Sequence, residues 1–371
     1  MKIVFSVTYY HPYISGLSVY VKRLAEELSK RGHEVQVLCM KHDPELADEE
    51  VVGGVRVTRA RPLVRLSKGF LSVDWIVKSV RMARSADAIV VNLPQAEGWI
   101  MALAAKLGGK RIVAVYHCEV DLPNKMVQSV VELANSAALT LADIIVAYTR
   151  DYANHSRLLK GLQDKIKYTY PPLPILNNDP IVEEGLRKKI GKATVVIGVA
   201  ARLAEEKGVE YLLEAVPRLG KGVKVAVAGP MEPVGEERYK QKILRLVENL
   251  RNQVVFVGSI EPEKMGAFYK VIDMLVLPSV NSTEAFGMVQ AEAMMAGVPV
   301  VATDLPGVRV PIKATGMGIV VVPRDSQALG EAIRAIARNR KDYIDKEAAQ
   351  REFDMAKTGN FYERLLAQIP R

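Results

Sequence analysis

Only two cysteines, Cys39 and Cys118, occur in 371 residues. Two thiols cannot staple a chain of this length, so no disulfide framework is expected and a reduced, cytoplasmic protein is the simplest reading. Metal chemistry lacks its usual marks as well: there is no Asp-x-Asp and no His, Cys or Glu cluster at ligand spacing, so no dedicated metal site and no metal cofactor are expected. Long apolar runs are also missing. The stretch Ile3 to Val7 is too short for a signal-peptide core, and nothing approaches a membrane span, so any meeting with a membrane would be from its surface. Neither Gly-x-x-x-x-Gly-Lys-Ser/Thr nor a Gly-x-Gly-x-x-Gly after the first strand occurs, which removes the main support for a P-loop kinase or a dinucleotide dehydrogenase.

Positive charge is what the chain has in excess, a formal +9. Anionic partners follow from that, but charge alone does not choose among nucleotides, phospholipid surfaces and nucleic acid. The length suits two domains. Strand and helix patterns alternate throughout, predicting an α/β protein of parallel sheets covered by helices. Strands are expected near 2–7, 34–39, 87–91, 111–116, 143–147 and 165–169, and again near 194–200, 223–228, 253–257, 273–277, 299–302 and 319–322. The helix near 16–31 carries Leu17, Tyr20, Val21, Leu24 and Leu28 at helical spacing and stops at Gly32. Between the halves, Tyr170 to Pro180 holds four prolines and two asparagines, which break both helix and central strand. The expected division is therefore 1–172, a linker at 173–190, a second domain at 191–345, and a helical segment at 346–371.

Glu284 to Gly307 is the most informative stretch. A buried strand ending at Pro278 leads through a loop to Glu284, Phe286 and Gly287, then through good helix formers to Gly297 and the next strand from Pro299. A loop opening into a helix at a strand's carboxyl end holds phosphate on unpaired backbone N–H groups. Glu292 lies eight residues past Glu284, so one continuous helix would carry it roughly 12 Å along the axis. Two such carboxylates suit sugar and ribose hydroxyls at the two ends of an extended ligand. A cap and a solvated helix residue are the plainer reading, outweighed by the flanking strands.

Arg202 and Lys207 follow the first strand of the second half, at the same sheet edge, and suit a diphosphate; a solvated loop pairing with Glu205 and Glu206 is the alternative. In the first half, Ser15 and Gly16 open a helix after the first strand, and His117 follows the strand 111–116. A lone histidine is more often structural; its place at a carboxyl end raises its standing.

These residues assembled, the chain resembles the retaining glycosyltransferases of family 4, glycosyl transferases group 1. The resemblance runs from about residue 3 to 338 through His-Pro-x-x-x-Gly, Arg31-Gly-His-Glu-Val35, Tyr170-Pro-Pro, Arg202-Leu-x-x-x-Lys207-Gly, and Glu284-x7-Glu292 with Gly-x-Pro-Val-Val-Ala-Thr-Asp304. It implies the GT-B fold, two facing Rossmann-like doubly wound domains with a cleft between them. The implied reaction moves a hexose from a nucleoside-diphosphate sugar, such as a UDP-sugar or GDP-mannose, to an acceptor hydroxyl with retained configuration. Carried over by position, Gly16, Arg202 and Lys207 would hold the diphosphate, Glu284 the donor sugar, and Glu292 the ribose. The backbone of Phe286, Gly287, Met288 and Val289 would contact sugar and phosphate, and His117 would sit by the reacting centre. Val310 stands where relatives often have an acid, and by likeness to the family's closing helices the segment 346–371 would return to the first domain. The acceptor would be a glycan, a glycolipid or a small polyol, with no nucleic acid involved.

Seven Arg or Lys between 59 and 84 (Arg59, Arg61, Arg65, Lys68, Lys78, Arg81, Arg84) face a single acid, Asp74, with apolar residues interleaved. Contact with an anionic membrane and ordinary packing are equally compatible with that pattern. A non-catalytic sugar-nucleotide-binding subunit and a hydrolysing sugar-nucleotide epimerase are the rival functions.

Overall fold

The structure is a computed structural model that describes residues 1–66, 69–231, 235–250 and 252–368. It divides into two units, Met1–Pro172 with Met355–Arg371, and Leu173–Asp354.

In the first unit, runs of apolar residues too continuous for a half-solvated sheet form the central strands. These are β1 (Lys2–Ser6) and β2 (Glu34–Met40), flanked toward one edge of the sheet by the more polar β4 (Val55–Ala60) and then β3 (Glu49–Val52). A small hairpin of β5 (Val64–Leu66) and β6 (Gly69–Leu71) follows, then β7 (Ala88–Leu93), β8 (Arg111–Tyr116), β9 (Ile144–Ala147) and β10 (Ile166–Tyr168). The main sheet has the order β10-β9-β8-β7-β1-β2-β4-β3, parallel except where β3 runs back against β4. Helices α1 (Gly16–Lys30), α2 (Val73–Ser85), α3 (Gly98–Leu107) and α4 (Lys125–Leu141) cover it. The strand pair β3–β4 was not read from the sequence, because Glu49-Glu50, Arg56 and Arg59 mask its hydrophobicity. The signal for it is Gly53-Gly54, a two-residue hairpin turn with both glycines at positive φ.

The second unit holds β11 (Val195–Ala200), β12 (Val223–Ala228), β13 (Val254–Gly258), β14 (Met274–Leu277), β15 (Val300–Thr303) and β16 (Gly318–Val321). Their order is β13-β12-β11-β14-β15-β16, all parallel, the doubly wound order that reverses between β11 and β14. Its core centres on Ile197, Leu212, Val225, Met274, Val301 and Ile333.

The expected linker at 173–190 is irregular only as far as Asp179. From Pro180 to Ile190 it is a helix, started by proline at its first turn and by the Asp179 carboxylate accepting from Ile181 and Val182 N–H. The expected terminal segment 346–371 is likewise two pieces. Helix Lys346–Glu352 belongs to the second unit, and helix Met355–Gln368 packs on α1, where Tyr362 and Tyr20 hydroxyls meet at 2.6 Å.

Candidate functional site

The reversal of strand order puts the loops after β11 and β14 side by side, and these loops carry the second domain's charged candidates. Lys207 Nζ donates to Glu284 Oε2 at 2.7 Å. The pair is partly shielded, with 20% and 15% of the two side chains exposed. Backbone packing sets this meeting: Val280 N–H donates to Glu206 O at 3.0 Å. Gly208, at φ +60°, brings its Cα so close that an added Cβ would lie 2.3 Å from Pro278 O. Arg202 is ion-paired with Glu206.

Glu284 stands in a turn organised by Asn281, whose side chain accepts from Thr283 N–H and hydroxyl and whose carbonyl accepts from Glu284 N–H. The helix does not begin there. It runs Met288–Met295, with Gly287 as N-cap at φ +74° and no side chain capping it. The continuous helix from Glu284 to Glu292 and its 12 Å spacing are thus corrected: only four residues of helical rise, about 6 Å, separate Met288 from Glu292. The reason is Gly287, whose left-handed backbone cannot lie inside a right-handed helix, so the helix starts only after it; Ala285 and Phe286 before it are buried, Phe286 edge-on to Phe353 at 6.0 Å. What remains is a helix whose first turn, at Met288 and Val289, has backbone donors and no side-chain cap. Gln290 steadies it by donating to Val308 O at 2.9 Å. Glu292, 6% exposed, accepts the Tyr269 hydroxyl at 2.7 Å. Val310 heads the helix Val310–Thr315.

In the first domain the loop after β1 ends in a capping box: Ser15 Oγ accepts from Ser18 N–H and Ser18 Oγ from Ser15 N–H, with Gly16 the exposed first residue of α1. His117 follows β8 and is 4% exposed. Asn92 Nδ2 donates to Ser6 O at 3.1 Å, which turns Asn92 Oδ1 toward His117 Nε2 at 3.0 Å. An amide oxygen only accepts, so Nε2 carries the proton and Nδ1 takes the Tyr148 hydroxyl. Burial pushes the imidazole down to about 3 and keeps it neutral. Both ring nitrogens are therefore held in a fixed tautomer. Asn92 and Tyr148 were not singled out from the sequence; an asparagine inside the apolar run Ala88 to Leu93 is the signal that marks one of them.

The basic stretch 59–84 is not one face. Arg59 is fully buried at the end of β4, donating to His11 O at 2.9 Å and Ala47 O at 2.8 Å and paired with Glu50. It therefore anchors the loop after β1 and cannot meet a membrane. Arg61 pairs with Asp48, and Lys78 with Asp74 at 2.7 Å. Lys68 and the Arg65 side chain lie outside the described residues. Arg81 and Arg84 are exposed on α2. Among the described residues, no helix is long and apolar enough to cross a membrane.

Comparison with known proteins places both halves. Residues 14–175 match the family Glycosyltransferase Family 4, and residues 183–352 match Glycosyl transferases group 1. An uncharacterized glycosyltransferase of Methanocaldococcus jannaschii is 27% identical, over 89% of this chain and 87% of its own. A D-inositol 3-phosphate glycosyltransferase of Xylanimonas cellulosilytica is 25% identical, over 86% and 83%. Among solved structures, Anabaena HepE in complex with UDP and glucose superposes with a TM-score of 0.83 at 20% identity, covering all of both chains. Two doubly wound domains, two family matches that together run through both of them, and full-length likeness to a GT-B structure lead to one conclusion: the chain belongs to the family 4, group 1 glycosyltransferases of GT-B fold.

Proposed function

We propose that the enzyme transfers a hexose from a nucleoside-diphosphate sugar to an acceptor hydroxyl with retention of anomeric configuration and without a metal ion. The observation that carries this reading is the Lys207–Glu284 pair beside the uncapped start of helix Met288–Met295, at the point where the strand order reverses. A cation and a row of backbone donors suit a diphosphate, and a carboxylate suits sugar hydroxyls. Arg202 adds a second cation once a phosphate competes with Glu206 for it. Glu292, positioned by Tyr269, is assigned to the ribose. The bond from the anomeric carbon to the diphosphate breaks while the bond to the acceptor oxygen forms on the same face. The acceptor's proton passes to the departing phosphate oxygen, so no protein base is needed. His117, with both nitrogens bonded, serves by shape and fixed polarity and not by proton transfer.

The acceptor falls to the first domain. A glycan, a glycolipid or a small polyol fits, and the D-inositol 3-phosphate glycosyltransferases among the relatives put phosphorylated polyols first in the screen. Purified enzyme incubated with UDP-, GDP- and ADP-sugars and an acceptor panel, with EDTA present, tests the whole reading. Retained anomeric configuration by proton NMR and undiminished rate in EDTA are expected. An inverted product or a metal requirement would falsify it. Release of nucleoside diphosphate without any acceptor would favour the epimerase.

A further inference from the structure

The helices α2, α3 and α4 form one layer. The connections β4 to β7, β7 to β8 and β8 to β9 all step the same way across the sheet, so right-handed crossovers put these helices on one face, each against the next. That layer is turned outward in an unusual sense. In α4 the buried positions include Gln128 and Asn135, whose Oδ1 accepts from Gln95 N–H at 2.9 Å. Met126, Val130 and Leu133, at one-turn and two-turn spacing, point outward with 82%, 67% and 73% of their surface exposed. A solvated helix has the opposite arrangement. The neighbouring helices continue the feature with Leu107, 82% exposed, and with Val73 and Val77. Ten of the twenty-two exposed large apolar side chains among the described residues lie on these three helices, a concentration that scattered surface residues do not produce.

Charge decides what covers it. The three helices carry five Lys or Arg (Lys78, Arg81, Arg84, Lys106, Lys125) and two acids, Asp74 and Glu132. Both acids are occupied, Asp74 by Lys78 and Glu132 by Arg157 at 2.9 Å, while Lys106 and Lys125 meet Asp143 and Asp121 at 3.1 and 3.2 Å, outside these helices. Arg81 and Arg84 stand exposed at the end of α2. Two copies packed through this layer would bring like charges together, whereas an anionic bilayer takes the apolar side chains between its headgroups and the cations on them. We propose that the α2–α3–α4 layer of the first domain docks on an anionic lipid surface, with α4 the inserted element. This deepens the transferase reading by placing its acceptor side at a membrane, and the docking itself needs no turnover.

Flotation of the full chain with phosphatidylglycerol-containing vesicles and with pure phosphatidylcholine vesicles tests it. Binding to the first only, weakened by salt, is expected, and the triple variant Met126→Ser, Val130→Ser, Leu133→Ser should lose about tenfold or more in partitioning. These positions are exposed, so an unchanged circular dichroism spectrum is expected, and Arg81→Gln with Arg84→Gln gives a second, independent loss. No binding to anionic vesicles, or undiminished binding by both variants, overturns the proposal. So does sedimentation showing a dimer that the triple variant dissolves. Turnover on a soluble acceptor, measured in parallel, separates the two readings: flotation without turnover leaves docking standing, and turnover without flotation leaves the transferase standing.

Discussion

Lys207 Nζ and Glu284 Oε2, 2.7 Å apart, hold each other across two loops that follow different strands. Their proposed tasks differ, the lysine gripping diphosphate and the carboxylate sugar hydroxyls. Lys207→Ala should therefore weaken nucleoside diphosphate and nucleoside-diphosphate sugar alike, by roughly ten- to a hundredfold. Glu284→Ala should leave the free diphosphate within about threefold while weakening the sugar nucleotide and slowing turnover, the removed carboxylate contact being worth on the order of 1.5–3 kcal/mol. Isothermal titration with both ligand types distinguishes the two; equal effects of both variants on the free diphosphate would sink the division of labour.

Gly208 makes that pairing possible by its left-handed backbone and its closeness to Pro278 O. Gly208→Ala combines a disfavoured φ with a backbone clash that no side chain can relieve, so a loss on the order of 2 kcal/mol or more is expected. Urea denaturation reads it, with donor affinity falling alongside. A midpoint equal to that of the wild type would contradict the close approach.

His117 imposes a pH dependence on stability. Its folded value, pushed down to about 3 by burial, lies below the ordinary value of 6.5, so between those limits the unfolded chain binds the extra proton. Stability from this group is complete above about pH 6.5 and is lost as pH falls toward 3. Thermal midpoints measured from pH 8 down to pH 4 should fall less steeply for His117→Gln than for the wild type. Parallel profiles would show that the ring is charged or solvated in the native protein.

The Tyr20 and Tyr362 hydroxyls, 2.6 Å apart and buried, tie helix Met355–Gln368 to α1 within the first domain, reinforced by Arg31 on Glu363 at 2.7 Å. Tyr362→Phe leaves the Tyr20 hydroxyl unpaired and should cost about 1–3 kcal/mol, and Tyr362→Ala about 3–5 kcal/mol through the cavity it opens. Calorimetry should show the loss in the transition of the first domain, with the midpoint of the second unmoved.

Periodicity and punctuation in the sequence determined the alternating strands, the helix from Gly16, the break near Pro171 and the loops that carry Arg202, Lys207 and Glu284, because buried parallel strands and glycine stops are written in local residue choice. The strands β3 and β4 escaped that reading since Glu49, Glu50, Arg56 and Arg59 hide their apolar positions, and that Arg59 meets Glu50 on the neighbouring strand is a relation local pattern does not express. Tertiary structure alone decided which cation meets Glu284, that Arg59 is an interior anchor and not a surface charge, that His117 has both nitrogens bonded, and that Met126, Val130 and Leu133 of α4 face outward. Each of these is a matter of which side chain lies across from another strand or helix, and that is set by packing and strand order, not by spacing along the chain.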